Sequence, residues 1–329
     1  MTAEWVAASV RARAMARRRA GAGACRAAAL CTDLQAALDV LSTTPVSAWL
    51  DGVTTPADAD RHARADLLWT MRVLAGWVPA RGTRVLRALA AGVERAEILV
   101  RAAALDQAAG AAAGTASRSG LIAPAAEVPV ANGLELGALA TAWPRLRRAR
   151  SADELDAALR HSPWGAMGDA TERADVLTAV WLRRVAREAT PARPWATGAA
   201  ALLVARLVLL GQPVPTRLPG LVRGLVGDGW TRARDADGLR DSLPHALRPM
   251  LDDVDGPQDL WRAEARFRER VHTDGLTMLR GALPGPPVVV GAVAVLAVDA
   301  WRVRAALTSA WSGGPDRAPA GLEVLDAVA

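Results

Sequence analysis

Histidine is the residue best suited to acid–base catalysis or metal binding at neutral pH, and this chain of 329 residues has four of them. They are His62, His161, His245 and His272, far apart in sequence, and none belongs to an H-x-x-x-H pair on one helix face. No G-x-S-x-G motif and no cysteine–histidine pairing suggests a nucleophile. We expect each histidine to be a polar surface or capping residue.

Two stretches have the composition of an ion site without its spacing. Asp252, Asp253, Asp255 and Asp259 lack the ligand pattern of an EF-hand, so we interpret them as a solvated turn and helix start. Residues 19–27, RAGAGACRA, follow no strand and lack the G-x-x-x-x-G-K-[ST] motif of a phosphate cradle. The sequence predicts no metal ion, no cofactor and no catalytic residue.

Cys25 and Cys31 are the only cysteines of the chain. No histidine lies between them, and two thiols are too few for a structural zinc site. Their spacing is not the C-x-x-C of a redox pair. We predict two buried free thiols in a reducing compartment.

The composition reflects codon bias more than function. All 40 basic residues are Arg, Tyr is absent, and Trp reaches 12, which is typical of a G/C-rich genome. The net charge of +6 is modest for this length, and carboxylates alternate with the arginines. Charge therefore gives only weak support for binding to nucleic acid or to an anionic membrane.

Helix formers dominate nearly every window, so the sequence predicts an all-α protein. The most apolar windows, 196–211 and 286–298, fall short of the roughly 20 residues that span a bilayer. The N-terminus shows no convincing signal peptide. The segment 108–133 is rich in Gly, Ala, Ser and Pro and is predicted to be an irregular linker.

A degenerate pattern occurs three times. Each copy has an aspartate, then a leucine shortly before a proline, and farther on an arginine within an apolar helix stripe. The members are Asp33, Leu41, Pro45 and Arg101; Asp153, Leu159, Pro163 and Arg206; Asp235, Leu239, Pro244 and Arg304. Three units of roughly 100 residues would form a ring or bowl, although such matches also arise by chance in a chain rich in Ala, Leu and Arg. Each arginine either snorkels at the stripe edge or is held by carbonyls or a carboxylate between helices.

Several short elements carry a resemblance to a known family. They are WVAASVRARAMA at 5–16, LSTTPVSAWL at 41–50, AEILVRAAALD at 96–106, ALRHSPWGAM at 158–167, ALLVARLVLLG at 201–211 and GAVAVLAVDAWRVRAAL at 291–307. In this order they resemble the V/A-type ATPase component that lies between rotor shaft and membrane ring, called the C subunit in prokaryotes and the d subunit in eukaryotes. The chain departs from the family pattern in having Trp49 and Trp164 at or near tyrosine positions and Asp299 in place of glutamate.

The resemblance implies one all-α, funnel- or bowl-shaped domain over 1–329, built of three similar helical lobes. Its approximate units are 1–50 with 290–315 as terminal helices, 51–150, 151–250 and 251–315. The residues at family-pattern structural positions are Arg13, Pro45, Arg101, Pro163, Trp164, Gly165, Arg206, Asp299 and Arg304. Trp164 is expected to pack a junction between lobes.

The resemblance also implies a non-catalytic role. Such a component transmits torque, with the shaft coiled coil in its bowl and its base on the proteolipid ring, in the cytoplasm and peripheral to the membrane. Two other interpretations stay open. One is an Arg-rich helical protein that binds nucleic acid or regulates, whose tryptophans could stack on bases. The other is an all-α enzyme with a pocket between lobes. Because Trp69, Trp181, Trp301 and Trp311 fall on apolar helix faces, we interpret them as core residues.

Overall fold

The computed structural model describes residues 3–119 and 133–314. This part of the chain is folded into α-helices and short 3₁₀ turns and contains no strand, which confirms the all-α prediction. The helices are α1 (Ala3–Met15), α2 (Ala22–Ala29), α3 (Leu34–Ser42), α4 (Ser47–Leu50), α5 (Pro56–Ala75), α6 (Ala80–Ser119), α7 (Trp143–Leu146), α8 (Ala152–Arg160), α9 (Arg173–Glu188), α10 (Arg193–Leu209), α11 (Leu218–Val226), α12 (Ala236–Ser242), α13 (Leu260–Arg280) and α14 (Pro286–Trp311).

One order of elements occurs three times along the chain. A short helix is followed by a proline-containing turn and then by two longer helices joined by a short connection. The short helices are α3, α8 and α12, and the hairpins that follow them are α5–α6, α9–α10 and α13–α14. We refer to these as the first, second and third hairpins.

The short helices share their chemistry at both ends. At the start, the side chains of Asp33, Ser151 and Asp235 each accept a backbone N–H three residues on, which stabilises the first turn. At the end, Thr44, Ser162 and Ser242 each donate a hydroxyl hydrogen bond, 2.7, 2.8 and 2.7 Å long, to the carbonyl of the leucine three residues earlier. Those leucines, Leu41, Leu159 and Leu239, are fully buried. In the second helix the cap is Ser151, and the predicted Asp153 lies in the first turn.

The six long helices contact one another in a closed circuit. Within the hairpins α5 packs on α6, α9 on α10 and α13 on α14. Between hairpins α6 packs on α9, α10 on α13, and α14 on α5, so the contacts return to the helix at which they began. One hydrophobic core cluster contains residues of all six.

Close backbone approach holds the third hairpin together. A Cβ atom on Gly291 of α14 would lie 2.6 Å from the carbonyl oxygen of Gly275 on α13, nearer than real Cβ atoms come. Both helices need glycine at this crossing. The burial of α14 along most of its length explains why its sequence is apolar on nearly every side.

The N-terminal helices are fastened to the third hairpin. Arg13 of α1 donates hydrogen bonds of 2.9 and 2.7 Å to the carbonyl oxygens of Leu279 and Gly281 at the end of α13. A second core cluster joins α2 and α3 to the C-terminal part of α14, with Cys25, Leu41, Val303 and Leu307 among its fully buried members. Helices α2 and α3 therefore share a core with the C-terminal part of α14.

Helix α6 differs from the prediction for 108–133. It continues through Ser119, so 108–119 is helical where an irregular linker was expected, and 120–132 lies outside the described residues. Alanine, the strongest helix former, fills most of 108–116 and outweighs Gly110 and Gly114.

The sequence predicted that the apolar window at 196–211 is too short to span a bilayer, and this prediction was wrong. The structure has a helical segment at Thr190–Leu209 of 20 residues, long and apolar enough by length and composition to cross a membrane. Over half of its window, 56%, is buried inside the protein, as in a core helix.

The two cysteines differ in environment, which gives a test of the fold. Cys25 is buried, and burial with the nearby Asp299 raises the pKa of its thiol to about 12. Cys31 is partly exposed. Because the thiolate is the reactive form, we expect only Cys31 to react with a disulfide reagent near about pH 8 in the folded protein, and both thiols in denaturant. Equal rates for two thiols under native conditions would contradict this placement of α2.

Candidate functional site

A cavity of about 560 Å³ lies inside the helix circuit and is lined by all six long helices. Its size falls within the range typical of ligand pockets. Every hairpin contributes side chains to its lining. We therefore treat this central cavity as the candidate functional site.

One end of the central cavity is apolar. Near the hairpin connections it is lined by Met71, Trp195 and Val290, with Phe267 farther along α13. Val290 is fully buried and Trp195 is 9% exposed, so this end is closed. Along α14 the lining residues extend from Val290 to Arg304, which at 1.5 Å per residue is roughly 21 Å of helix.

The opposite end is charged and partly open to solvent. Arg64 lies 2.8 Å from the Asp60 carboxylate and 3.2 Å from that of Glu97. Arg304 of α14 also pairs with Asp60 of α5, so one carboxylate joins the third hairpin to the first. The side chains of Asp60 and Arg304 are 38% and 34% exposed, which places them at a mouth rather than in the core.

Arg95 also lines the central cavity. Its Nη1 donates a 2.9 Å hydrogen bond to the Thr178 hydroxyl, and its guanidinium lies 5.6 Å from the centre of the Trp181 ring. Its Nε is buried and has no hydrogen-bond partner, and no carboxylate of the described residues lies within ion-pair distance. Burial, and then the charge of Arg64, lowers the pKa of Arg95. Since Asp60 and Glu97 already pair with Arg64 and Arg304, Arg95 leaves the cavity with excess positive charge.

Of the residues at family-pattern structural positions, only Arg304 lines this cavity. The other two stripe arginines hold helices elsewhere: Arg101 is buried and donates a 2.7 Å hydrogen bond to the Ala149 carbonyl, and Arg206 pairs with Asp175 of α9. Arg13 binds the end of α13 as described above. Pro45 and Pro163 are exposed in the turns after α3 and α8.

Asp299 is buried on α14 and fastens the start of α2. Its two carboxylate oxygens accept the backbone N–H groups of Ala20 and Gly21 at 2.8 and 2.9 Å. Burial raises the pKa of this carboxyl despite those hydrogen bonds. The geometry is that of a carboxylate at a helix N-terminus, and it serves structure rather than chemistry on a ligand.

Trp164 is fully buried between the α8–α9 connection and α6. Its indole N–H lies 3.4 Å from the Glu94 carboxylate of α6, and the Arg184 guanidinium lies 5.0 Å from its ring centre. Glu94 in turn accepts backbone N–H groups at the start of α7, from Thr141, Ala142 and Trp143. The adjacent Gly165 has a φ of +72°, a conformation that favours glycine.

The tryptophans predicted to be core residues divide into two groups. Trp181 and Trp301 are half-buried, but Trp69 and Trp311 are 44% and 55% exposed, so the core prediction was wrong for these two. Trp69 lies instead under the Arg18 guanidinium, 4.8 Å from its ring centre. An apolar stripe at the edge of a helix bundle looks the same in sequence as one at its centre.

Sequence reasoning missed the residues that matter most here, namely Asp60, Arg64, Glu94 and Arg95. Two signals were available. Asp60 and Arg64 are an i, i+4 pair of opposite charge, and Glu94 interrupts an apolar run at 88–93. A carboxylate within such a run needs buried donors, which the start of α7 supplies.

The described residues contain no group of three or more His, Cys, Asp or Glu side chains that could hold a metal ion. His62 lies on α5, with its Nδ1 2.9 Å from the Trp49 carbonyl oxygen. Asp253 and Asp259 pair with arginines on α13. No protein-family model matches the chain, and no curated protein matches it either.

Truncation of Trp164 tests the junction between α6 and the connection from α8 to α9. We expect Trp164→Ala to lower the free energy of unfolding by about 3–5 kcal/mol, because it removes a fully buried aromatic side chain. The matched control is Trp77→Ala, at a tryptophan that is 49% exposed, with an expected loss clearly smaller than that of Trp164→Ala because less apolar area is buried there. Urea titration followed by circular dichroism measures both. Similar losses for the two variants would contradict the structural role of Trp164.

Proposed function

We propose that this protein is a non-catalytic central-stalk component of a rotary V/A-type ATPase. In this role it couples the rotor shaft to the membrane proteolipid ring, for ATP-driven ion transport or for ATP synthesis. It works in the cytoplasm, peripheral to the membrane, and without an active site or cofactor of its own. Its three similar helical lobes form a funnel.

One observation carries the proposal, the closed circuit of three hairpins around a central cavity. Each hairpin follows a short helix whose first turn is capped by a side chain. At the end of that helix a Ser or Thr hydroxyl donates a hydrogen bond to a leucine carbonyl. Three similar lobes in a ring are what the resemblance to the C and d subunits of these ATPases implies. The proposal also rests on the order of the sequence elements that carry that resemblance.

A torque adaptor has to resist deformation. Charged and polar side chains hold helix ends across the junctions, as Arg13 does on α13, Glu94 on α7 and Asp299 on α2. These bonds fasten short helices to the hairpins, and rotation of one hairpin against another would break bonds such as those from Arg95 to Thr178 and from Trp195 to Asp274. Close packing of the core transmits strain between the helices.

The central cavity is the proposed seat for the shaft. A helix with side chains is about 10–12 Å across, so 560 Å³ accommodates roughly one helical turn. The seat therefore takes the end of a shaft helix rather than a length of coiled coil. The charged side chains of Asp60 and Arg304 at the mouth of the cavity fix the orientation in which the shaft helix binds.

Copurification tests the assignment directly. We expect the full chain, tagged and isolated from native membranes at low detergent, to bring with it a coiled-coil shaft protein and the proteolipid, and the isolated chain to hydrolyse no ATP. Recovery of neither partner would contradict the proposal. A gel shift at physiological salt that falls steeply as salt rises would favour the nucleic-acid-binding alternative instead.

Site-specific crosslinking tests the seat. A photoreactive amino acid at position 300, where Ala300 lines the mouth of the cavity, should label the shaft protein in the assembled complex. The control places the same group at position 223, where Arg223 is exposed on α11. Equal labelling from the two positions, or labelling from 223 alone, would place the shaft elsewhere. Mass spectrometry of the crosslinked product identifies the partner.

A further inference from the structure

We propose that, in the protein free of a shaft, the central cavity binds a free single-chain amphiphile with a carboxylate head, such as a fatty-acid anion. The apolar chain lies along the closed end of the cavity, and the carboxylate pairs with Arg95. The proposal depends on the cavity and its charge, and it stands whether or not the chain belongs to a rotary ATPase.

The excess positive charge of the cavity favours an anionic ligand. Arg95 lines the cavity, and its buried Nε has no hydrogen-bond partner. Within the described residues no carboxylate lies at ion-pair distance from its guanidinium. Its bond to the neutral Thr178 hydroxyl and its position over Trp181 leave the charge uncompensated. A cation held in apolar surroundings is unfavourable unless it is paired. A carboxylate matches the fork of guanidinium donors better than a single halide ion does.

The apolar lining of the cavity favours a ligand with a hydrocarbon chain. Beyond Arg95 the lining consists of side chains such as Met71, Leu89, Val293 and Phe267, and it includes the buried Val290. An extended hydrocarbon chain gains from contact with these walls, whereas an inorganic anion would leave them empty. A nucleotide is a poor fit, since its phosphates would need an array of donors in place of a single unpaired guanidinium.

Glycine at position 92 lets the Trp181 ring pack closely against α6 beside Arg95. A Cβ atom there would lie 2.9 Å from the Trp181 ring, which forms the surface behind the guanidinium. Ala96 and Ala297 are likewise small and line the cavity from α6 and α14. The small residues keep the region between the charged and apolar ends open.

The test is isothermal titration of the full chain with decanoate below its micelle concentration. We expect saturable binding near one equivalent, with decanol at least tenfold weaker and decylamine without measurable binding. Arg95→Met, which keeps an apolar stem and removes the charge, should weaken decanoate at least tenfold and leave decanol unchanged. Arg183→Met removes an exposed arginine of α9 and should bind decanoate as the parent does.

A second variant keeps the proposal testable if Arg95→Met fails to fold. Ala297→Leu fills the cavity and should weaken decanoate and decanol alike, while circular dichroism shows native helix content. The proposal is overturned if decanoate does not bind, if decanol or decylamine binds as tightly, or if folded Arg95→Met binds decanoate unchanged. Inorganic phosphate that binds and displaces decanoate at equal concentration would assign the site to a simple anion, and would also overturn it.

Discussion

The contact between α14 and α5 joins the last hairpin of the chain to the first, and the ring exists because of it. Without this contact the three hairpins would form an open row with two exposed apolar edges. Arg304 and Asp60, paired across this seam, are 244 residues apart in sequence. The half-exposed pair contributes little energy by itself, so the buried apolar faces of α14 and α5 carry the closure, and the pair fixes its register.

The three hairpins and their preceding short helices share an order of elements, but the side chains that hold the neighbouring helices differ. Glu94 in the first hairpin and Asp299 in the third each direct a carboxylate at the start of a short helix, α7 and α2 respectively. The corresponding region of α10 carries alanines, and Trp230 is buried nearby in a 3₁₀ turn. Helices α7 and α2 are therefore both held by charge-assisted hydrogen bonds to a carboxylate of a hairpin. Such divergence explains why the repeat is faint in sequence although the element order is clear.

Local features of the fold were predictable because their causes are local. The starts of α3, α5, α8 and α12 coincide with capping residues that are visible in the sequence. The extent of α6, the exposure of Trp69 and the central cavity were not predictable in this way. An apolar stripe does not say which helix it faces, and Asp60, Arg64 and Arg95 come together only when α5, α6 and α14 have packed. The threefold pattern in the sequence predicted a ring or bowl. The motifs at 41–50 and 158–167 lie at the ends of α3 and α8, whereas those at 96–106 and 291–307 lie inside α6 and α14.

The shared core of α2, α3 and the end of α14 has a consequence for synthesis. Ser309 donates a hydrogen bond to the Ala29 carbonyl across 280 residues, and Cys25, Leu41 and Ala59 are buried in the same cluster as Val303. At ribosomal rates of about 5–20 residues per second, the N-terminal helices wait roughly 14 to 56 seconds for this partner. During that time their apolar faces are uncovered, which makes them a natural place for a chaperone to bind. Domains usually complete their N-terminal parts first, whereas here the beginning of the chain is the last part to be finished.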